Sequence, residues 1–438
     1  MQQNEPIAPT QPVAAHLNQT CFCRTLDLER LRHQLESQPE FHGLMQQLQH
    51  TRPHLFSSTV VFISSAAARQ MADTVAAIDR VTRLAGYQAQ ALARADASAQ
   101  HESGTAGVCM GYDFHLDDEG PKLIEINTNA GGLLLNLALL RAQAACCDDM
   151  DEAFAALPDA QALEQKVFAM FAQEWAQQRG AGAPAAVAIV DDDPGAQYLA
   201  PEFDLFRQFF ERHGWPALVC DARELRWHDG RLWAGAQAVD FVYNRLTDFY
   251  FTDPAHAALR AAHAAGAAVV SPHPRGHALL ADKRNLIVLG DRERLLGWGA
   301  SAQDAAVLAH SVPHTEPVTA AKAEALWARR RQLFFKPVAG YGAKAAYRGD
   351  KLTRRVWDDI VGGDFVAQAL VAPAQRLIEL DGVRTDLKFD IRAYAYQGEV
   401  QLFAARMYAG QTTNFRTAGG GFAPVLVVPD EAAAAAGA

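Results

Sequence analysis

Hydrophobic residues recur every three to four positions through much of the first hundred residues, and this spacing predicts helices over about residues 26–99. The pattern is interrupted near Pro53 and at residues 60–63, where consecutive apolar residues predict a short strand. Residues 1–20 are rich in Gln, Pro and Asn and are predicted to be a loose leader. We therefore expect a mainly helical N-terminal region over residues 1–104.

Alternation of polar and apolar residues replaces the helical spacing between Gly111 and Asn127. Two alternating stretches flank the turn-forming residues 117–120, which predicts a β-hairpin. The hairpin leads into a glycine loop that begins at Asn129 and then into an apolar helix. This loop directly follows the polar residues of the second strand, which favours a functional role for both.

Three polar side chains of the hairpin form the first candidate site. Glu125 and Asn127 are two residues apart on one strand, so both side chains lie on the same face, and the facing strand can direct Asp113 towards them. Two carboxylates and an amide oxygen are hard ligands of the kind that Mg²⁺ binds. The alternative interpretation is a solvated face of the strand.

Strands and helices alternate from about residue 186 to residue 271, and this rhythm predicts a parallel sheet with ligands near the carboxyl ends of its strands. Tyr243, Asn244 and Arg245 fall at such an end and are candidates to bind a substrate carboxylate. The three aspartates at residues 191–193 also end a strand, where they either bind a substrate amine or cap the helix that follows.

Two further clusters carry positive charge. Lys336 ends the predicted strand Phe334–Pro337 and is followed by a loop that contains Gly340 and Gly342, an arrangement that can hold phosphate oxygens without being a Walker A loop. Nearer the C-terminus, several arginines and a triple-glycine stretch indicate a second anion site, with surface salt bridges as the alternative. The residues of this second cluster are Lys388, Asp390, Arg392, Arg406, Asn414, Arg416 and Gly419–Gly421.

Composition narrows the class of protein. The chain has 438 residues, half of them apolar, which predicts a globular protein of two to four domains. Forty basic and fifty acidic side chains give a net charge of −10, which argues against a nucleic-acid partner. Six irregularly spaced cysteines, no signal-like leader and no apolar run long enough to span a bilayer predict a cytoplasmic protein that does not enter membranes.

The motifs taken together resemble the parts of an ATP-grasp enzyme. In the usual order of that family, the Glu-x-Asn element follows the Asp-x-Arg element, whereas here it precedes it by about 265 residues. The resemblance therefore implies a circularly permuted catalytic domain, as in eukaryotic-type glutathione synthetases and, in general plan, glutathionylspermidine synthetases. The elements that carry the resemblance are Ile124–Thr128, Lys283 within residues 281–285, Lys336, Gly340–Gly342, Phe365–Leu370, Asp390–Arg392 and Arg406.

This resemblance implies a role for each matching residue. Glutathione synthetases carry an acidic metal ligand beside the glycine loop that is absent from residues 338–343 here, so Asp113 is expected to complete the magnesium set with Glu125 and Asn127. Arg392 and Arg406 are expected to face the γ-phosphate. The nucleotide is expected at Lys283, Lys336, Gly340, Gly342, Gln368, Ala369, Leu370 and Asp390; the acceptor or acyl phosphate at Asn414, Arg416 and Gly420; and the substrate at Asn129, Tyr243, Asn244 and Arg245.

The resemblance also implies a fold and an activity. We expect an α/β and α+β chain with a permuted ATP-grasp domain over residues 105–145 and 281–428, a parallel-sheet substrate domain over residues 160–280 and a frayed tail over residues 429–438. The implied activity is an ATP- and Mg²⁺-dependent carboxylate–amine ligase that acts on small molecules such as amino acids, peptides or polyamines. A homodimer is compatible with this expectation. A small-molecule kinase and a non-catalytic ATP-binding regulator are the alternatives.

Overall fold

The computed structural model describes residues 13–36, 42–144, 159–340 and 345–430, which form a mixed α/β structure. The helices are α1 (Val13–Thr20), α2 (Leu28–Leu35), α3 (Leu44–Thr51), α4 (Ser65–Thr82), α5 (Ala85–Leu92), α6 (Leu133–Arg141), α7 (Ala160–Arg179), α8 (Ala200–Arg212), α9 (Ala257–Ala264), α10 (Asn285–Leu289), α11 (Arg292–Gly297), α12 (Ala302–Ser311), α13 (Ala323–Ala328) and α14 (Arg354–Gly362). The strands are β1 (Val61–Ser64), β2 (Met110–Asp117), β3 (Gly120–Asn127), β4 (Val187–Asp191), β5 (Ala217–Asp221), β6 (Leu225–His228), β7 (Arg231–Ala234), β8 (Gln237–Val239), β9 (Phe241–Asn244), β10 (Val269–Ser271), β11 (Thr315–Pro317), β12 (Leu333–Pro337), β13 (Tyr347–Arg348), β14 (Phe365–Ala369), β15 (Ala374–Leu380), β16 (Val383–Tyr396), β17 (Glu399–Tyr408) and β18 (Gly421–Val428).

The largest sheet, which we call the main sheet, has seven strands drawn from distant parts of the chain. Its order is β1-β18-β17-β16-β2-β3, with β15 also paired to β16. β1 is parallel to β18, whereas the other pairs are antiparallel. The hairpin of β2 and β3 therefore completes a sheet whose other strands, apart from β1, come from the last 65 or so residues of the chain.

Period-two alternation decides which face of the main sheet meets the core. Along β16, Phe389, Ile391 and Ala393 point into an apolar core that α4, α5 and α12 cover. Asp390 and Arg392 therefore point to the opposite face, away from that core. One face of the sheet is thus a hydrophobic support, and the other presents charged side chains.

The parallel sheet has the order β10-β9-β4-β5, as the alternation of strands and helices predicts. Successive residues of β4 enter two different cores, since Val187 and Ile189 pack with α7 and α8 while Ala188 and Val190 pack on the side of α9. A strand that is buried on both faces has apolar residues at consecutive positions, and the sequence of β4 shows this pattern.

A small antiparallel sheet has the order β11-β14-β12-β13 and borders the charged face of the main sheet. It has its own core, in which Phe335 and Ala367 of the sheet pack against Leu326 and Trp357 of α13 and α14. The strands predicted at residues 334–337 and 365–370 are both confirmed here.

Two features of the fold differ from the expectation. Residues 13–20 of the predicted loose leader form α1, which is held because Asn18 exchanges two hydrogen bonds with the backbone of Phe62. A three-stranded meander, β6-β7-β8, was not predicted because its strands are only three or four residues long and carry mixed polarity. The predicted frayed tail lies largely outside the described residues. Of the helices in the described ranges, none has both the length and the apolar character needed to cross a bilayer.

Candidate functional site

A cleft of about 790 Å³ lies where the charged face of the main sheet, the small antiparallel sheet and the carboxyl edge of the parallel sheet meet. Its described walls carry seven cationic side chains but only three carboxylates, although the whole chain has a net charge of −10. This local excess of positive charge is suited to a polyanionic ligand. The cations are Arg245, Lys283, Lys336, Arg348, Lys388, Arg392 and Arg406.

Asp113 is the centre of the charged face. It lies directly opposite Arg392 in the β2–β16 ladder, and its Oδ1 and Oδ2 accept hydrogen bonds of 2.7 and 2.8 Å from Nε and Nη2 of that arginine. Arg406 Nη2 lies 2.9 Å from Oδ2, and Asn127 donates to the same oxygen at 3.0 Å. Burial alone would raise the pKa of Asp113, but the two guanidinium groups outweigh it and lower the pKa to about 2.

These contacts do not fit the predicted metal role of Asp113. A carboxylate has about four lone-pair positions, and four N–H groups already occupy them. The same contacts hold the two arginines in place and turn the amide of Asn127 so that its nitrogen faces Asp113. The structure therefore makes Asp113 an organiser of the charged face.

Asp390 extends this network on the next strand pair. It lies opposite Arg406 in the β16–β17 ladder and accepts a hydrogen bond of 2.7 Å from Arg406 Nε, and it also bonds the hydroxyl of Thr413. Asp390 is fully buried behind the arginine. Its described contacts are thus with Arg406 and Thr413, and Arg406 is held from both ends by carboxylates.

Glu125 and Asn127 retain oxygen atoms that face the cleft. Glu125 lies opposite Asp113 in the β2–β3 ladder and forms an ion pair of 3.1 Å with Lys283, whose Nζ also donates to the carbonyl oxygen of Gly340 at 2.7 Å. Among the described residues, no group of three or more His, Cys, Asp or Glu side chains is arranged to hold a metal ion. Glu125 and Asn127 fit Mg²⁺ only as two of its ligands, with waters or phosphate oxygens supplying the rest.

Lys336 lies at the end of β12, as predicted, and reaches across to the hairpin. Its Nζ donates to the carbonyl oxygen of Ile124 at 2.6 Å and to Gln368 Oε1 at 2.8 Å. Burial lowers the pKa of Lys336 to about 8, with nearby Lys283 acting in the same direction. The two lysines thus lie at the floor of the cleft with neutral acceptors and a single carboxylate.

The edge of the small antiparallel sheet borders the cleft at Gln368, Ala369 and Leu370, where adenine was expected. The amide groups of Ala369 and Leu370 are engaged by the carbonyl oxygens of His314 and Gln332. Gly340 also borders the cleft, while Gly342 lies outside the described residues.

Arg245 lies at the end of the cleft formed by the parallel sheet. We call it the substrate end, because the substrate was expected there. The buried guanidinium of Arg245 donates to Tyr243 Oη at 3.0 Å and to the carbonyl oxygen of Ala130 at 3.3 Å, and its Nε has no partner among the described atoms. A Cβ at Gly131 would come within 2.7 Å of Arg245 Nη2, so a larger residue there would displace the guanidinium. Asn129 anchors the loop by donating to the carbonyl oxygen of Leu246 at 2.8 Å.

Six of the expected site residues that the structure describes lie outside the cleft walls, and one of them is Asp390. Tyr243 is fully buried beneath Arg245, and Asn244 uses its amide on the backbone of Pro272 and Leu246. Asn414 closes its own loop, because its Nδ2 donates to Ala409 O and its Oδ1 accepts from Arg416 N. Arg416 is exposed, and Gly420 is buried with the Met407 carbonyl oxygen 2.5 Å from where a Cβ would be. The structure thus places all six beside or behind the walls of the cleft.

Several wall residues were not singled out from the sequence. Arg348 is an isolated cation on a strand, and Tyr198, Phe203 and Phe415 are isolated aromatics, so none has a local motif. The rings of Tyr198 and Phe415 stack with centroids 5.4 Å apart and join the substrate end to the loop after β17. These residues come together only in the folded chain, so their spacing in the sequence does not reveal that they line one cleft.

Comparison with known proteins shows which fold this is. No family model matches the sequence, and no curated protein matches it. Among solved structures, the apo form of a glutathione synthetase-like effector (GSS30) from Globodera pallida has a TM-score of 0.54 at 12% identity, with 90% of this chain and 98% of that chain covered. The chain has an ATP-grasp fold. The ATP-grasp fold that the sequence resemblance implied is thereby confirmed, whereas its circular permutation stays a prediction. At this identity the likeness shows the fold alone.

Two other solved structures have lower TM-scores. A putative gamma-glutamylcysteine synthetase from Methylobacillus flagellatus has 9% identity, a TM-score of 0.44 and coverage of 80% of this chain and 85% of that chain. The ATP-grasp ligase PsnB, solved with minimal precursor, Mg and ADP, has 13% identity, a TM-score of 0.27 and coverage of 57% and 91%.

Proposed function

We propose that this ATP-grasp chain is an ATP-dependent carboxylate–amine ligase that forms an amide bond through an acyl phosphate. The observation that carries the proposal is the convergence of two lysines and two carboxylate-held arginines on one cleft of an otherwise acidic protein. Such groups match a triphosphate and the charge that develops when its terminal phosphoryl group is transferred. A protein that only binds ATP does not need arginines preorganised in this way.

The proposed reaction has two steps. A carboxylate oxygen of the substrate attacks the γ-phosphorus of ATP, the bond to the β,γ-bridging oxygen breaks and ADP leaves. An amine nitrogen then attacks the carbonyl carbon of the acyl phosphate, the carbon–oxygen bond breaks, inorganic phosphate leaves and the nitrogen loses a proton.

Each group of the cleft has a part in this scheme. Lys283 and Lys336 bind the phosphates of ATP, whereas Arg392 and Arg406 neutralise the transferring phosphoryl group. Glu125 and Asn127 would hold Mg²⁺, which supplies charge neutralisation between the phosphates when it is bound. Because Lys283 is paired with Glu125 at 3.1 Å, nucleotide binding has to redistribute this contact.

The substrate end supplies two opposite charges for the organic substrates. Arg245 and Asp191 come from the ends of neighbouring parallel strands and both line the cleft, while buried Glu202 lies 3.9 Å from Arg245 Nη2. Arg245 is suited to a carboxylate and Asp191 to an ammonium group. We therefore propose small molecules that carry both groups, such as amino acids or peptides, as substrates, with polyamines as the other amine class.

The catalytic unit is proposed to come from residues 105–145 and 281–428, with residues 160–280 as the substrate domain. The pairing of the early hairpin β2–β3 with the late strand β16 supports this circular permutation. A cytoplasmic location and activity as a homodimer belong to the same proposal.

A screen for ADP release tests this function. The purified chain with Mg²⁺ and ATP is incubated with single amino acids, short peptides and polyamines, alone and in pairs. The expected result is ADP release that requires a particular acid and increases with a particular amine. ADP release that no compound stimulates, under conditions where ATP binds, would contradict the ligase assignment.

Binding of ATP is expected to weaken as the pH rises through the pKa of Lys336, which is about 8. The protonated ammonium attracts phosphate and the neutral amine does not, so the affinity should fall about tenfold between about pH 7.5 and pH 9.5. Isothermal titration calorimetry with ATP measures this change. The variant Lys336→Met should bind weakly at every pH, whereas the exposed control Lys351→Met should behave as the wild type. An unchanged pH dependence in Lys336→Met would assign the titration to another group.

A further inference from the structure

His256 connects two loops at the substrate end of the cleft. It ends the short 3₁₀ turn Pro254–His256 and is 1% exposed. Its Nε2 lies 2.8 Å from Asp192 Oδ1, and its Nδ1 lies 2.8 Å from Asp248 Oδ2. Both ring nitrogens therefore face a carboxylate, one from the loop after β4 and one from the loop after β9.

This geometry requires a particular charge state. Carboxylates only accept hydrogen bonds, and an imidazole donates from both nitrogens only when it is protonated. A neutral ring would place a nitrogen lone pair against one of the two carboxylates. Burial alone would lower the pKa of His256, but its hydrogen bonds to Asp192 and Asp248 outweigh burial and raise it.

The partners of His256 are next to residues that line the cleft. Asp192 follows Asp191 in the chain, and Asp248 follows Thr247; Asp191 and Thr247 are both cleft walls. The two loops leave the adjacent parallel strands β4 and β9 at the same edge of the sheet. A link between these loops therefore sets the spacing of the groups that meet the substrate.

We propose that His256 is a positioning residue for the substrate end of the cleft, acting as a protonated clamp between Asp192 and Asp248. The clamp holds Asp191, Thr247 and Arg245 at the separation that the organic substrate requires, so this inference rests on the proposed function. Loss of the ring proton breaks one of the two links and loosens the substrate end without changing the lysines and arginines that meet ATP.

Most other charged groups near the clamp are bonded elsewhere, although Arg223 also attracts Asp192 and Asp193. The 3₁₀ turn of residues 222–224 packs against the turn that contains His256, and its charged neighbours bond to one another. The charged groups on the packed elements are Asp253, which caps its own turn, Arg260, which donates to Phe251 O, and Asp221, Arg223 and Glu224. Asp192 and Asp248 are therefore the groups that decide the protonation of His256.

Nuclear magnetic resonance of the full chain with ¹⁵N-labelled histidine tests the charge state, with His256→Gln identifying the signal. We expect both ring nitrogens to be protonated at about pH 7, with a pKa above the reference value of about 6.5. A ring that is neutral at about pH 7, or that titrates at or below the reference value, would overturn the proposal. This measurement requires no substrate and is independent of the proposed function.

Hydrogen exchange and kinetics test the positioning role. His256→Gln should raise amide exchange in residues 191–199 and 245–253 but leave β16 unchanged, and Asp248→Asn should do the same without altering the histidine itself. With an equimolar mixture of the common L-amino acids as the probe of ADP release, the half-saturating concentration should rise about tenfold in His256→Gln, while that of ATP stays within about twofold.

The pH profile separates positioning from a general loss of stability. In the wild type, the half-saturating concentration of the amino-acid mixture should increase as the pH rises through the pKa of His256, whereas in His256→Gln it should be high at every pH. Equal effects on ATP and amino acids, or the same profile in both proteins, would refute the positioning role. If the mixture stimulates no ADP release, the exchange data alone decide whether the clamp exists, and what has failed is the proposal that free amino acids are the substrates.

Discussion

The variant Arg392→Met is expected to release ADP about a thousandfold more slowly than the wild type. Its Kd for ATP should stay within about threefold of the wild-type value. Arg392 is 7% exposed, donates two hydrogen bonds to Asp113 and donates a third to the carbonyl oxygen of Gly131 at 3.4 Å. A guanidinium preorganised in this way stabilises charge mainly in the transition state, so its loss should lower kcat more than it raises the Kd of ATP.

A matched control for Arg392 lies on the same strand. Arg384 is also in β16, but it is exposed, and its ion pair with Glu379 is a loose one of 3.8 Å. Arg384→Met should keep wild-type turnover. Removal of Arg392 leaves Asp113 with one arginine and can therefore destabilise the fold. Thermal unfolding of Arg392→Met and of Arg392→Lys is measured in parallel to show that both variants are folded. A folded Arg392→Met protein with wild-type turnover would remove Arg392 from the reaction.

The variant Asp113→Asn should be less stable than the wild type by about 3–5 kcal/mol, since removal of one partner from a buried ion pair leaves uncompensated charge. Here two guanidinium groups, Arg392 and Arg406, share that one buried carboxylate. Urea unfolding measures the difference. Asp118→Asn, in the exposed turn of the same hairpin, should change the stability little.

The stability difference at Asp113 should also depend on pH in a defined way. The pKa of Asp113 is about 2 in the folded protein and near 3.8 when unfolded, so the carboxylate stabilises the fold above about pH 4 and this contribution is lost as the pH falls towards 2. The gap between Asp113→Asn and wild type should therefore be constant at neutral and weakly acidic pH and shrink below about pH 4. A gap that shrinks already near pH 6 would mean that Asp113 is not held by the two arginines.

The strand and helix pattern was predictable where each element is long and buried. The alternation between Gly111 and Asn127 indicated the hairpin of β2 and β3, and the rhythm of strands and helices from about residue 186 indicated the parallel sheet. The meander β6-β7-β8 escaped prediction because its strands are short and are stabilised by their neighbours rather than by their own pattern.

The side-chain contacts of the site were less predictable than its residues. Asp113, Arg392 and Arg406 were each identified from local motifs, but the ladder that pairs Asp113 with Arg392 joins residues 279 positions apart. When the register is unknown, a carboxylate near Glu125 and Asn127 indicates a metal ligand. Once the register is known, the carboxylate of Asp113 is seen to accept hydrogen bonds from the arginines. Asn414 and Arg416 illustrate the reverse case, because a polar loop near the site is indistinguishable in sequence from a polar loop within it.

Trapping of the acyl phosphate with hydroxylamine tests the central claim most directly. The chain is incubated with Mg²⁺, ATP and the acid that stimulates ADP release, and hydroxylamine is supplied in place of the amine. A ligase of the proposed kind forms one hydroxamate for each ADP released, and Arg392→Met forms almost none. ADP release with a stable phosphorylated product and no hydroxamate would instead identify a kinase and contradict the amide-forming mechanism.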